Sequence, residues 1–155
     1  MKRWTSYAFW ILLTELIGVV AAALTMENTR LFSQTVEQPP FAPPAWIFPV
    51  VWTVLYALMG IGVAKVSLSI DGPFRRKALN LFVAQLTVNF FWSLIFFNAK
   101  AYGFALLWLM LLWVMILWMI FAFAKVDKTA ALLQIPYILW VTFAGFLNYR
   151  IWRLN

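Results

Sequence analysis

Residues 38–56, QPPFAPPAWIFPVVWTVLY, decide how the rest of the chain is read. Four prolines, Pro39, Pro40, Pro43 and Pro44, precede an apolar run in which Trp52 and Tyr56 stand one helical turn apart on a single face. Proline fixes φ and has no backbone N–H to donate, so the segment predicts a stiff, extended lead-in. Pro49 falls close to the start of the following helix, where a missing N–H costs least. A rigid strap with aromatic side chains beneath it suits a flat guest, and the surrounding composition puts that pocket in a membrane.

Of the 155 residues, 65% are hydrophobic and 19% aromatic, and mean hydropathy is +0.87. These values describe an integral membrane protein, not a soluble surface. The net charge of +7 would suggest nucleic acid in a soluble chain. Here the basic residues flank apolar runs, so lipid headgroups and topology account for them and no nucleic-acid partner is expected. With neither cysteine nor histidine, disulfides, thiol catalysis and the commonest metal ligands are excluded, and no metal site or required cofactor is expected.

A membrane-crossing helix takes ~20 mostly apolar residues, and five segments qualify: about 4–24, 47–70, 79–98, 102–124 and 130–152. The expected fold is an all-α integral membrane protein, a five-transmembrane-helix bundle in one domain over residues 1–155. The amino-terminal run imitates a signal peptide, but Glu15 interrupts it and AAALTMEN is a poor cleavage site, so it is read as a span. The connection at Ala99–Ala101 is barely a turn and forces an antiparallel hairpin, whereas Thr25–Trp46 is long. Basic residues set orientation. Lys2, Arg3, Lys65, Arg75, Arg76, Lys77, Lys125 and Lys128 fall on one side, against Arg30, Lys100, Arg150 and Arg153 on the other. The amino terminus is therefore expected inside and the carboxyl terminus outside, with the proline strap outside.

Three helical stripes carry candidate chemistry. Trp52 and Tyr56 form the first. In the third span Gln85, Asn89, Trp92 and Phe96 share a face. Their amides must bond to neighbouring helices or to a ligand; for Gln85 we take the first reading, for Asn89 the second, with Trp92 to stack against. In the fifth span Tyr137, Trp140, Ala144 and Asn148 form a stripe, and Ala144 with Gly145 leaves room either for a ring or for close helix packing. Pro136 either kinks that helix or marks its first turn. Trp108, Trp113 and Trp118 recur at steps of five, do not stay on one face, and read as lipid-facing or interfacial anchors and not as a binding box. Glu15 is the only carboxylate well inside a span. A charge near mid-bilayer costs at least ~2.5 kcal/mol, so it is either functional or faces the bundle interior, protonated or hydrogen-bonded to a Trp, Tyr or Thr14-type partner. Leu147, Tyr149 and Arg153 fit a loose pattern proposed for sterol contact, in which Tyr and Arg equally serve as interfacial anchors.

Taken together, QPPFAPPAWIFPVVWTVLYALMG, AQLTVNFFWSLIFF and IPYILWVTFAGFLNYRIW resemble the TspO/MBR family, the tryptophan-rich sensory proteins related to the translocator protein (peripheral-type benzodiazepine receptor). The resemblance implies a five-helix bundle, a homodimer, and a cavity under the first loop for porphyrins such as protoporphyrin IX, and in some members for sterols and benzodiazepine-site ligands. By matching position the cavity includes Trp52, Asn89, Trp140, Ala144 and Leu147, with Phe41 and Trp46 from the loop. The chain departs from the family pattern at Leu31 and Phe32, Gln38, Phe41 and Trp108. Ser93 and Leu94 replace a proline pair that often follows the third-span tryptophan, which predicts a straighter helix there.

The leading functional expectation is a binding protein for flat tetrapyrroles, acting as sensor, scavenger or transport accessory. Ten tryptophans offer stacking surface, and no histidine is present to serve as an axial haem ligand. Two alternatives come from other classes: light- and oxygen-dependent porphyrin oxidation with Trp52 and Trp140 as electron donors, and a proton-coupled exporter using Glu15.

Overall fold

The computed structural model describes residues 2–155, and five of its helices are long and apolar enough to cross a membrane. In chain order the elements are α1 (Arg3–Thr35), α2 (Ile47–Ser67), α3 (Pro73–Ser93) running into a π-helical turn (Leu94–Asn98), α4 (Tyr102–Ala124), α5 (Lys128–Leu132) and α6 (Ile135–Leu154). The segments alternate up and down. At one end Lys65 pairs with Asp127 (3.6 Å), Lys125 lies over the Phe74 ring and Lys77 over the Trp118 ring, so the ends of α2 and α4 meet the starts of α3 and α5.

Three of the five spans differ most from the hydropathy reading. The first span was expected to end near Leu24, but α1 continues to Thr35. Its 33 residues make about 50 Å of helix at 1.5 Å per residue, well beyond the ~30 Å hydrocarbon layer. Nothing in TMENTRLFSQT breaks a helix; the first proline after Gly18 is Pro39. Tertiary contacts hold the extension. The Phe32 ring packs on Phe96, Phe97 and Tyr102, and the Asn28 amide donates to Asn98 Oδ1 (2.8 Å).

The third helix begins six residues early, at Pro73, which sits in its first turn where no N–H is needed. Its far end is not regular α-helix. After Ser93 the helix loosens into the π turn, with the Ala99 N–H reaching back to the Leu94 carbonyl (3.0 Å). Insertion of one residue per turn rotates Phe96 into a buried stack on Trp92 (5.0 Å between centroids) and leaves Phe97 against Phe32. Lys100, with φ of 53°, then closes the hairpin into α4.

The fifth span is two helices. Pro136 lacks an N–H for the Leu132 carbonyl and its ring crowds that carbonyl, so α5 stops at Leu132 and α6 starts with Pro136 in its first turn. Gln134, buried in the joint, donates to the Leu58 and Ala130 carbonyls (3.2 and 3.3 Å) and packs across Gly62. Asp127 caps α5 by accepting from the Ala130 N–H (2.9 Å). Asp127→Ala is expected to cost about 1 kcal/mol through the lost cap, and Asp127→Asn to recover most of it, because the half-exposed pair with Lys65 adds little. Thermal unfolding in detergent checks the order of the two variants.

The core runs through the middle of the bundle. Met59 and Val63 of α2, Phe82 of α3, Ile116, Met119 and Phe123 of α4, and Val141 of α6 are essentially inaccessible. The strap, residues 36–46, crosses the other end of the bundle. Turns close at Ala42 N–H to the Pro39 carbonyl and Ile47 N–H to the Pro44 carbonyl (both 3.0 Å). Its start is pinned by Asn155, whose Oδ1 accepts from the Glu37 N–H (3.2 Å) while its Nδ2 donates to the Glu37 carbonyl (2.9 Å).

Candidate functional site

Because α2 and α6 run antiparallel, residues rising along one meet residues falling along the other. Trp52 meets Tyr137 edge-on (6.3 Å), Phe48 meets Trp140 edge-on (5.8 Å), and above them Phe41 of the strap meets Phe143 (6.4 Å). These three rungs form an aromatic ladder from the bundle interior up to the strap. Trp52 also leans on Tyr56 (5.6 Å) below the lowest rung, and Trp140 on Phe143 (5.4 Å) links the upper two rungs. Edge-to-face geometry at these separations is attractive between ring quadrupoles. The indoles are half-buried and pack against the core, not outward into lipid.

A polar chain crosses the foot of the ladder. Tyr56 Oη donates to Asn89 Oδ1 (2.9 Å), Asn89 Nδ2 donates to Tyr137 Oη (2.6 Å), and Tyr137 Oη donates to Gln85 Oε1 (2.7 Å). The sequence reading gave Gln85 to interhelical bonding and Asn89 to a ligand; here both amides bond to tyrosines of other helices, tying α2, α3 and α6 together. Two buried donors are left without a partner among the described residues, Gln85 Nε2 and the Trp140 indole Nε1. Buried unpaired donors are uncommon and call for an explanation.

The remaining candidates fall in three places. Trp92 stacks on Phe96 and donates to Asn148 Oδ1 (3.2 Å), and Asn148 Nδ2 donates to the Tyr102 carbonyl (2.9 Å), so Trp92 bridges the ladder region to a second aromatic cluster that also holds Leu147. Ala144 packs at the edge of the main core, and a Cβ on Gly145 would meet nothing within 4 Å. Trp46 is 66% exposed and lies outside the ladder. Leu147 points inward, whereas Tyr149 and Arg153 lie outward beside the Trp152 ring, so the sterol-pattern residues do not form one surface. Glu15 is half-buried; the two ion pairs among the described residues, Lys65–Asp127 and Arg75–Asp71, do not involve it. Its neighbour Thr14 is the engaged residue, donating to the Tyr56 carbonyl (2.8 Å).

Phe48 and Phe143 were not singled out from sequence, although Phe48 lies one turn before Trp52 and extends the same stripe. Phe32 marked only a departure from the family pattern, yet it anchors the α1 extension. Trp108 is half-buried and donates to the Val88 carbonyl (2.7 Å), and Trp113 donates to Thr142 Oγ1 (2.8 Å); of the three fourth-span tryptophans, Trp118 alone makes no such bond.

Five apolar helices with an aromatic and amide-lined seam beneath a proline strap define an integral membrane protein with an internal recognition seam. The chain belongs to the TspO/MBR family, whose model matches residues 10–153. It is 35% identical to the tryptophan-rich protein TspO of Chlorobaculum tepidum over 99% of this chain and 98% of that protein. It is 34% identical to the translocator protein of Bos taurus over 98% and 91%, and 36% identical to the tryptophan-rich sensory protein of Cereibacter sphaeroides over 96% and 92%.

Proposed function

We propose that this protein binds flat hydrophobic tetrapyrroles of the protoporphyrin IX kind in the seam between α2 and α6, as sensor, scavenger or transport accessory. The observation that carries the reading is the aromatic ladder with two unpartnered donors beside it. Parting the rungs exposes ring faces to a macrocycle, and the Trp140 and Gln85 N–H groups offer hydrogen bonds to its carboxylates. Opening costs only edge contacts of about 0.5–1.5 kcal/mol each, which stacking on a larger ring offsets. No histidine stands ready to ligate iron, so metal-free porphyrin fits better than haem. The strap then acts as a roof, pinned at Glu37 and resting on the ladder through Phe41. With more basic residues at the end that holds Lys65 and Arg75, we place that end inside and the strap outside.

Tryptophan-fluorescence quenching in detergent tests this, with the porphyrin Soret shift as a second readout. Protoporphyrin IX is expected to bind more tightly than haem. Trp52→Ala and Trp140→Ala are each expected to weaken it about tenfold, the equivalent of ~1.4 kcal/mol. Preference for haem, or unchanged affinity in both variants, would overturn the site.

A further inference from the structure

A second feature lies on the opposite flank and end of the molecule from the aromatic ladder. A shallow, open hollow of about 540 Å³ lies between the start of α3 and the end of α4, lined by Leu81, Ala84 and Trp118 and rimmed by Arg76, Lys77 and Asn80. Its two chemistries are separated along the helix. Arg76 and Lys77 sit where the first turn passes into the second, at the end where α3 leaves the aqueous side, and Ala84 lies about 10 Å further along by helical rise, at membrane depth. Lys77 Nζ stands 5.4 Å over the Trp118 ring, so the indole holds a cation at the mouth. Neither Arg76 nor Lys77 has an acidic partner among the described residues, because the nearby Asp71 is taken by Arg75 (3.0 Å). Trp118 is exposed and makes none of the hydrogen bonds that engage Trp108 and Trp113.

We propose that this hollow is a binding site for an anionic phospholipid, its phosphate held by Arg76, Lys77 and the Asn80 amide and its acyl chain lying along Leu81 and Ala84 against Trp118. Charge complementarity selects an anionic headgroup, and the apolar lower wall selects a molecule with a chain over a soluble anion. The site is independent of the porphyrin reading, since it shares no residue with the ladder.

Native mass spectrometry of protein from micelles holding equal phosphatidylglycerol and phosphatidylcholine of the same chains reads retained lipid directly. Phosphatidylglycerol is expected to be retained over phosphatidylcholine by an order of magnitude or more, at roughly fivefold per basic side chain. Arg76→Gln with Lys77→Gln should abolish that preference, while Arg150→Gln with Arg153→Gln, an equal loss of charge at the other end, should leave it intact. Ala84→Trp fills the lower wall without touching a charge, and it too should lose the retained lipid. Equal retention of the two lipids, an equal loss in the Arg150 and Arg153 variant, full retention in Ala84→Trp, or displacement of the lipid by inorganic phosphate would each overturn the proposal. All these positions are exposed on the helix surface, and circular dichroism of each variant checks that its helices are kept.

Discussion

Gly60→Ala is expected to destabilise the bundle, whereas Gly145→Ala is expected to stabilise it or leave it unchanged. Both glycines lie inside helices, where exchange to alanine gains about 1 kcal/mol of helix propensity, so the sign depends on space alone. A Cβ on Gly60 would lie 2.6 Å from Ile11 Cα and 2.8 Å from its nitrogen, against the ~3.5–4.0 Å that carbon atoms prefer. The obstacle is backbone, which cannot rotate aside as a side chain can. Relief requires α1 and α2 to separate by about 1 Å, which also stretches the Thr14 bond to the Tyr56 carbonyl. Overpacking of this kind costs roughly 1–3 kcal/mol or more, outweighing the propensity gain. Gly60→Leu should fail to give a monodisperse protein at all. Around Gly145 a Cβ meets nothing within 4 Å. Melting temperatures of the two alanine variants in one detergent decide the matter, and a Gly60→Ala protein as stable as wild type would mean the two helices do not meet there.

Gly60 also shows where sequence stops being informative. That five segments cross a membrane follows from runs of apolar residues, and the α3–α4 hairpin follows from a three-residue connection; both need only local information. The stripes Trp52–Tyr56, Gln85–Phe96 and Tyr137–Asn148 were likewise legible, because a helix puts residues three and four apart on one side whatever surrounds it. Hydropathy could not see α1 running on through TMENTRLFSQT, since a helix leaving the bilayer keeps its backbone bonds while its side chains turn polar. It missed the α5–α6 break for the opposite reason: AALLQIPYILW stays apolar across a proline that ends one helix and starts the next. Partner choice was out of reach altogether. Nothing in the one-dimensional pattern says that Asn89 joins two tyrosines from different helices, or that Phe48 faces Trp140. Such pairings depend on the relative rotation and height of helices, which a close contact such as Gly60 on Ile11 fixes.

Tyr137→Phe is the second change expected to have a large effect, and its partner variant tells what the effect means. The Tyr137 hydroxyl donates to Gln85 Oε1 and accepts from Asn89 Nδ2 in a fully buried position. Removing it orphans both atoms, and since Gln85 Nε2 has no partner among the described residues to begin with, the whole Gln85 amide is left unpaired. In water-soluble cores each orphaned group costs ~1–3 kcal/mol. Between membrane helices measured hydrogen bonds average only ~0.6 and reach ~1.7 kcal/mol, because helices not yet packed also find partners. Two such bonds give about 1–3 kcal/mol for Tyr137→Phe. Pairing it with Gln85→Leu removes the orphaned amide as well, and replacing both ends of a bond with apolar groups is nearly neutral. The double variant should therefore recover the part of the loss that comes from Gln85, while the Asn89 Nδ2 left without Tyr137 Oη keeps the remainder. The same pair separates structure from recognition: if Gln85 Nε2 holds a porphyrin carboxylate, the double variant is more stable than Tyr137→Phe yet binds protoporphyrin IX several-fold less tightly than that single variant. Wild-type affinity in a stably folded double variant would assign the amide to helix packing alone and leave the Trp140 indole as the only spare donor beside the ladder.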